Sequence, residues 1–466
     1  MQVTQQPERD EWRIVLPRHG ASEFLVSVGD THFSLPKVDI PPRCRVAQNL
    51  TAEIARTWDW KVVCLYSLSS TRIGNSDLRS RYHVVEALCP DAQPPDGMVW
   101  KPFTSLSAEA FTETSDLVAI SKFLGVYKGP GKDRIDGPFS KPGWFPECQA
   151  WAQDQIRQLG LHLTGDFQQL NASPEFSLIR FETDGPVVWF KAVGAPNLQE
   201  FPISLTLANL FTGFVPRIIG SRKEWNAWLS LQAEGSHLDG DAESDAWTRA
   251  AEALACLQLE SFGKGLHLLD AGCRDVRICS LVGLIDPFVL SMSELMDRQT
   301  KTSPPPLSHA ELVSLGAEIK CHFEEMEKCD IPNTLGHLDL NPGNILVSRE
   351  RCVFLDWAEA CVGNPFFTFQ YLLEHLRRLR AHDSIQELRL ISAYRNKWRP
   401  FLSPRDLDTA FGLSPLLGVF AYTAHRFTRQ YLDLSSRPEI AGYLRALARR
   451  MKREADALRG RFICVP

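Results

Sequence analysis

Several things are missing from this sequence. None of its apolar runs approaches the length needed to cross a bilayer. Met1 to Glu11 is polar with no apolar core, so no signal peptide is expected there. A basic excess is also lacking. Lys and Arg number 51 against 56 Asp and Glu, and the net charge of −5 gives no support for nucleic-acid binding. The twelve cysteines contain no Cys-x-x-Cys; the nearer pairs are Cys273 with Cys279 and Cys321 with Cys329. Cys64 and Cys352 sit in apolar surroundings, as small buried hydrophobes do. A disulfide framework suits a small secreted domain rather than a chain of this length. Repeats and low-complexity tracts are absent as well. The expected setting is cytoplasmic, with neither nucleic acid nor membrane as a partner.

What is present is a chain too long for one ordinary core, 466 residues with 44% apolar content. From Trp12 to Tyr127, short apolar runs alternate with turns. Phe24–Val28, Lys61–Tyr66 and Tyr82–Leu88 read as strands, and Val46–Arg56 as a helix with Ala47, Leu50, Ile54 and Ala55 on or near one face. Ser107–Leu124 reads as helical in two pieces. Residues 129–143 hold Gly-Pro-Gly, Gly-Pro and Pro-Gly and form the clearest linker. Beyond it come an amphipathic helix over Glu147–Leu159, with Trp151, Ile156 and Leu159 apolar, and a hairpin turning at Asp184-Gly185. Glu224–Leu231 reads as a strand. Helices follow over Ala242–Leu259 and Ala310–Cys329, and from Pro365 to Gly460 the chain is largely helical.

The chemistry concentrates in Leu335–Asn364. A Pro-Gly-containing loop carries Asp339 and Asn344 and leads into the apolar run Ile345–Val347. A turn follows at Ser348–Arg351, then the run Val353–Leu355, which Asp356 ends. This spacing predicts a tight hairpin with both carboxylates and the carboxamide at one end. Such hard oxygen ligands suit Mg²⁺. Phosphoryl transfer needs a carboxylate to meet the incoming hydroxyl, and an Asn and an Asp to hold metal on the phosphates.

The string from Leu335 to Asn364 resembles the catalytic segment of the aminoglycoside phosphotransferase and choline kinase family. That family reads His-Gly-Asp-x-x-x-x-Asn, a strand pair, then Asp-Trp or Asp-Phe. The resemblance implies Asp339 as catalytic base, His337 as a brace for the loop, and Asn344 and Asp356 as Mg²⁺ ligands. Leu338 departs from the family's usual Gly. The resemblance also implies an α+β, two-lobed protein-kinase-like fold, with a mainly β small lobe over 144–230 and a mainly α large lobe over 231–466.

Lys191 lies near the end of the apolar strand Val187–Val193, where a lysine is costly unless it finds an anion. In the kinase-like arrangement that anion is the nucleotide α/β-phosphate, and Glu200 is the candidate that steadies the lysine. The turn expected to cover the phosphates, Asn171–Phe176, has no glycine; Ser173 is its candidate phosphate contact. Pro202 places Glu200 in the first turn of its helix or just before it. Residues 1–128 form an additional α/β domain that weakly resembles a Nudix domain: Leu35-Pro36 precedes the helix, and only Glu53 remains of the carboxylate cluster that such a site needs. A degenerate domain without hydrolase activity is expected. The function expected is a small-molecule O-phosphotransferase using Mg²⁺ with ATP or GTP. The alternative is a nucleotide-binding pseudokinase that senses a metabolite.

Overall fold

The structure is a computed structural model describing residues 9–68, 81–89, 91–128, 138–239, 242–380, 383–430 and 438–463. Packing divides the chain into two compact units: Met1–Phe201 with Arg217–Gln232, and Pro202–Pro216 with Ala233–Pro466.

The first unit runs β1 (Asp10–Val15), β2 (Pro17–Arg18), β3 (Glu23–Val28), β4 (Phe33–Ser34), β5 (Lys37–Ile40), α1 (Val46–Trp58), β6 (Val62–Leu68), β7 (Arg81–Ala87), β8 (Met98–Pro102), α2 (Thr114–Lys128) and α3 (Trp144–Arg157). It continues with β9 (Leu163–Ala172), β10 (Phe176–Thr183) and β11 (Val188–Val193). The first turn of α4 (Glu200–Leu210) follows, and β12 (Ile218–Arg222) and β13 (Ala227–Leu231) complete it. One sheet has the order β5-β1-β7-β6, and a second pairs β3 with β2, β4 and β8. The third is an antiparallel sheet of five strands, β12-β13-β11-β10-β9.

Helix α1 forms where expected because Ala47, Leu50 and Ile54 fall on one stripe and are buried. Ala55 is exposed instead, and the helix ends at Asp59 in a left-handed turn. Glu53, the one carboxylate left from the Nudix-like pattern, pairs with Arg56 one turn along. Helix α3 starts three residues earlier than the sequence suggests and stops at Arg157. Leu159 therefore lies beyond it and is exposed, while Ile156 is buried.

The expected linker falls on 129–143, of which 129–137 lie outside the described residues. On both sides of that stretch the chain contributes to one apolar core: Val15, Phe24, Val63 and Phe123 share it with Phe145, Ile179, Phe190 and Leu229. A polar bond reinforces this. β6 is an edge strand, so the backbone groups of Cys64 on its open side need partners. Gln169, buried in β9, supplies both: Oε1 accepts from the Cys64 N–H at 2.7 Å and Nε2 donates to its carbonyl at 2.9 Å.

The second unit holds the rest of α4, then β14 (Ser236–His237), α5 (Ser244–Glu260), α6 (Gly265–Asp270), β15 (Arg274–Val276), α7 (Ile278–Val282), α8 (Ile285–Asp297) and α9 (His309–Glu327). Next come β16 (Thr334–His337), β17 (Ile345–Val347), β18 (Cys352–Phe354) and β19 (Ala360–Gly363). Helices α10 (Pro365–Leu379), α11 (Ser384–Trp398), α12 (Pro404–Gln430) and α13 (Pro438–Ile463) close the chain. Its two small sheets are β14-β17-β18 and β15-β19-β16. Ser308 caps α9 in a reciprocal box with Glu311, just after the proline run Pro304–Pro306. The protein is thus α+β, with the five-stranded sheet in the first unit and a mainly helical second unit. No helix among the described residues is long and apolar enough to cross a membrane.

Asp116, fully buried on α2, is the polar centre of the first unit. It accepts from Arg13 Nη1 at 2.6 Å, Tyr82 Oη at 3.0 Å and the Leu35 N–H at 2.8 Å. Burial pushes the Tyr82 phenol up to about 12, which keeps it a donor. Replacing Asp116 with Ala leaves Arg13 only its pairs with Glu113 and Glu11 and takes the acceptor from the Tyr82 hydroxyl and the Leu35 N–H, and the unit should lose roughly 3–5 kcal/mol in denaturant titration. His83 gives a pH signature. Burial pulls it down to about 3, and its Nε2 has no partner among the described residues. The unfolded chain takes up that proton near pH 6.5 and the folded chain does not. Stability is therefore full above about pH 6.5 and falls as pH drops toward 3, by at most about 1.4 kcal/mol per pH unit. Denaturant midpoints at pH 7 and 5 should separate more for the native chain than for His83→Gln.

Candidate active site

The hairpin forms as the sequence suggests. Ile345 pairs with Phe354, Leu346 with Val353 and Val347 with Cys352. Ser348 closes the turn, its hydroxyl accepting from the N–H groups of Glu350 and Arg351. Phe354 is further pinned by its N–H to the Phe214 carbonyl at 2.7 Å. Asn341 caps the short 3₁₀ turn Pro342–Asn344, accepting from the Gly343 N–H at 3.0 Å.

His337 ends β16 and is buried. Its Nδ1 accepts from the Asp339 N–H at 3.0 Å, and its Nε2 lies 3.1 Å from the Leu355 carbonyl. Only the neutral Nε2–H tautomer satisfies both bonds. Burial lowers its pKa and favours that neutral form, against the pull of the Leu355 carbonyl and the nearby carboxylates. The ring thus fastens the residue carrying the first carboxylate to the residue preceding the second. The two loop halves are also joined by the Leu338 N–H, which donates to the Glu359 carbonyl at 3.0 Å. Leu338 takes no positive φ and sits in the apolar core, so the departure from Gly costs the loop no backbone strain.

Asp339 is half-buried. Its carbonyl accepts from Asn344 Nδ2 at 3.0 Å and from the Asn341 N–H at 2.8 Å. With its amide nitrogen so engaged, Asn344 presents Oδ1, a hard oxygen, as its remaining polar atom. Asp356 is exposed and holds φ +61, ψ 66, a left-handed conformation rare for a residue with a side chain. Strain of that kind concentrates at functional sites. One carboxamide oxygen and one carboxylate fit Mg²⁺, which takes one or two carboxylates and completes its shell with water and substrate phosphates. Among the described residues no cluster of three or more His, Cys, Asp or Glu forms a protein-only metal cage.

In the first unit Lys191 and Glu200 form an ion pair, Lys191 largely buried and Glu200 almost wholly so. The five-stranded sheet puts the lysine there. In β11 the neighbouring Phe190 is buried against Trp144 and Trp151 of α3, and alternation turns Lys191 to the other face. Trp228, opposite Lys191 in β13, has its ring 5.8 Å from Nζ. Glu200 opens α4, with Pro202 in the first turn, where its missing N–H is harmless. Ser173 lies in the β9–β10 turn. Its hydroxyl accepts from the N–H groups of Glu175 and Phe176, both at 3.2 Å, and so closes that turn.

Sequence reasoning missed three residues beside the loop. The Thr368 hydroxyl accepts from the His337 N–H at 3.0 Å. The Tyr371 hydroxyl donates to Asp339 Oδ1 at 3.0 Å. Arg274 pairs with Glu359 at 3.0 Å. Thr368 and Tyr371 stand three apart on α10, with His375 one turn further, a polar stripe along one face of the helix. That stripe was the available signal. β16 lies so close to α10 that a Cβ on Gly336 would meet the Thr368 hydroxyl at 2.7 Å and Cys361 Sγ at 2.8 Å.

The model of the phosphotransferase enzyme family matches residues 208–401. The span includes His337, Asp339, Asn344 and Asp356, and leaves out Lys191 and Glu200. The resemblance seen in the sequence is thus matched by that model over residues 208–401. Solved structures similar to the chain include the macrolide 2'-phosphotransferase MphH of Brachybacterium faecium, at 17% identity, covering 65% of this chain and 98% of that one, with a TM-score of 0.43. Choline kinase LicA of Streptococcus pneumoniae matches at 13%, covering 64% and 99%, with a TM-score of 0.42. A choline kinase of Cryptosporidium parvum matches at 11%, covering 69% and 98%, with a TM-score of 0.46. No curated protein matches the chain in sequence.

The brace is testable by itself. His337→Ala leaves the Asp339 N–H and the Leu355 carbonyl without this partner in a half-buried loop. The chain should lose roughly 2–5 kcal/mol in chemical denaturation, the cost of two stranded groups.

Proposed function

We propose that this chain is a small-molecule O-phosphotransferase, moving the γ-phosphate of ATP or GTP to a substrate hydroxyl with Mg²⁺. The observation that carries the reading is the loop geometry. Asp339, Asn344 and the residue before Asp356 are tied together by the His337 ring and the Asn344 amide. In this scheme Asp339 takes the hydrogen bond of the incoming hydroxyl and aims its oxygen at the γ-phosphorus. Asn344 and Asp356 hold the metal, which would neutralise charge on the phosphates. Lys191, steadied by Glu200, contacts the α/β-phosphates, and Ser173 stands in the turn over them. His337 positions and does not touch the reacting atoms.

Two further assignments belong to the same proposal. Residues 1–128 are a degenerate Nudix-like module without hydrolase activity, a reading supported by the pairing of Glu53 with Arg56 and the exposure of its neighbour Ala52. The setting is cytoplasmic, a reading supported by the cysteines of the described residues, all of which are free thiols. A second reading, a nucleotide-binding pseudokinase, is favoured by one observation. The phosphate turn has no glycine, and its Ser173 hydroxyl already closes the turn.

Labelled ATP, Mg²⁺ and a metabolite extract decide between them. The native chain should transfer label, and Asp339→Asn should lower turnover roughly 10²–10⁴-fold, the contribution of one general base. Nucleotide affinity should be unchanged in that variant. Native turnover in Asp339→Asn would dismiss the loop assignment. Tight nucleotide binding by the native chain with no transfer to any acceptor would favour the pseudokinase.

A further inference from the structure

We propose that Tyr371 is a positioning residue for Asp339, one that reserves a single carboxylate oxygen for the acceptor hydroxyl. The inference rests on the phosphotransfer reading above. Its starting point is the bond from the Tyr371 hydroxyl to Asp339 Oδ1. Among the described residues Oδ2 has no hydrogen-bond partner, so the two oxygens are no longer equivalent. A hydrogen bond to an ionised carboxylate is among the stronger ones and fixes the carboxylate rotamer. The acceptor hydroxyl is then taken at Oδ2, in one orientation, before it arrives. Orientation matters because misplacement of a reacting atom by about 1 Å can cost on the order of 10²-fold in rate.

The phenol is itself held in place. Its ring lies 4.9 Å from the His375 ring at 60° and 5.3 Å from the Tyr422 ring at 37°. The Tyr443 hydroxyl donates to the Tyr422 hydroxyl at 3.0 Å, which ties α13 to α12 beside this cluster. Three helices therefore set the direction of one hydroxyl. A tyrosine serving only to fill space would need the ring contacts and not the bond to Asp339.

Four full-length proteins test this: the native chain, Tyr371→Phe, Asp339→Ala and the double variant. Phe keeps the ring packing and removes the hydroxyl alone. The readouts are label transfer from Mg·ATP to water and to a metabolite extract, and the dissociation constant of Mg·ATP. Tyr371→Phe should lower turnover about 10-fold, the scale of one hydrogen bond to a charged group, with Mg·ATP affinity unchanged. On the residual activity of Asp339→Ala, the same substitution should have no further effect. Native turnover in Tyr371→Phe, or an equal loss in both backgrounds, would overturn the inference while leaving the phosphotransfer reading intact. A native chain whose transfer is untouched by Asp339→Ala would overturn the reading and the inference together.

Discussion

The large lobe's site depends on one buried imidazole. His337 must accept on one nitrogen and donate on the other, and those two bonds join loop segments 18 residues apart. A side chain of one fixed hydrogen-bonding character would not serve. Burial makes the neutral ring the favoured form, and the neutral ring is the one with both an acceptor and a donor. The surroundings then follow. Gly336 lets β16 press against α10, Thr368 takes the His337 backbone, and Leu338 turns into the apolar core. Asp339 is left half-exposed on a backbone held from several sides, and Asp356 stands on a strained turn just after the residue that the imidazole grips.

The small lobe shows the same economy of means. Lys191 is presented by alternation in a strand whose other face is packed on α3, and its carboxylate partner comes from the first turn of the next helix. The N-terminal strands belong to this construction. They share the core into which Phe190 packs, and the Gln169 amide joins the edge of β6 to β9. A change in the N-terminal core therefore acts on the strand beside the lysine.

The hairpin, its two mouth carboxylates and the Lys191–Glu200 pair were legible because short-range rules fix them. Two apolar triplets across a four-residue turn have few ways to pair, and a lysine in an apolar strand demands an anion. What escaped was set by tertiary contact. β1 reads Asp-Glu-Trp-Arg-Ile-Val, too charged for a strand by pattern; its Arg13 is neutralised by Asp116 from a helix about a hundred residues away. Tyr371 is followed on α10 by the apolar pair Leu372 and Leu373, so its neighbours in sequence say nothing of a loop. Its hydroxyl acquires meaning only once that helix is seen against the loop. Leu159 was read as a core position of α3, but the helix ends before it. The match over 208–401 reaches the loop and stops short of the lysine.

The proposed function requires Asn344 and Asp356 to bind nucleotide through a divalent cation. Calorimetric titration of ATP into the full chain, with Mg²⁺ and with a chelator, tests it most directly. Affinity should drop when Mg²⁺ is withheld, and Asp356→Asn should remove most of that Mg²⁺ dependence. Equal affinity in both conditions, unaltered by the substitution, would contradict it.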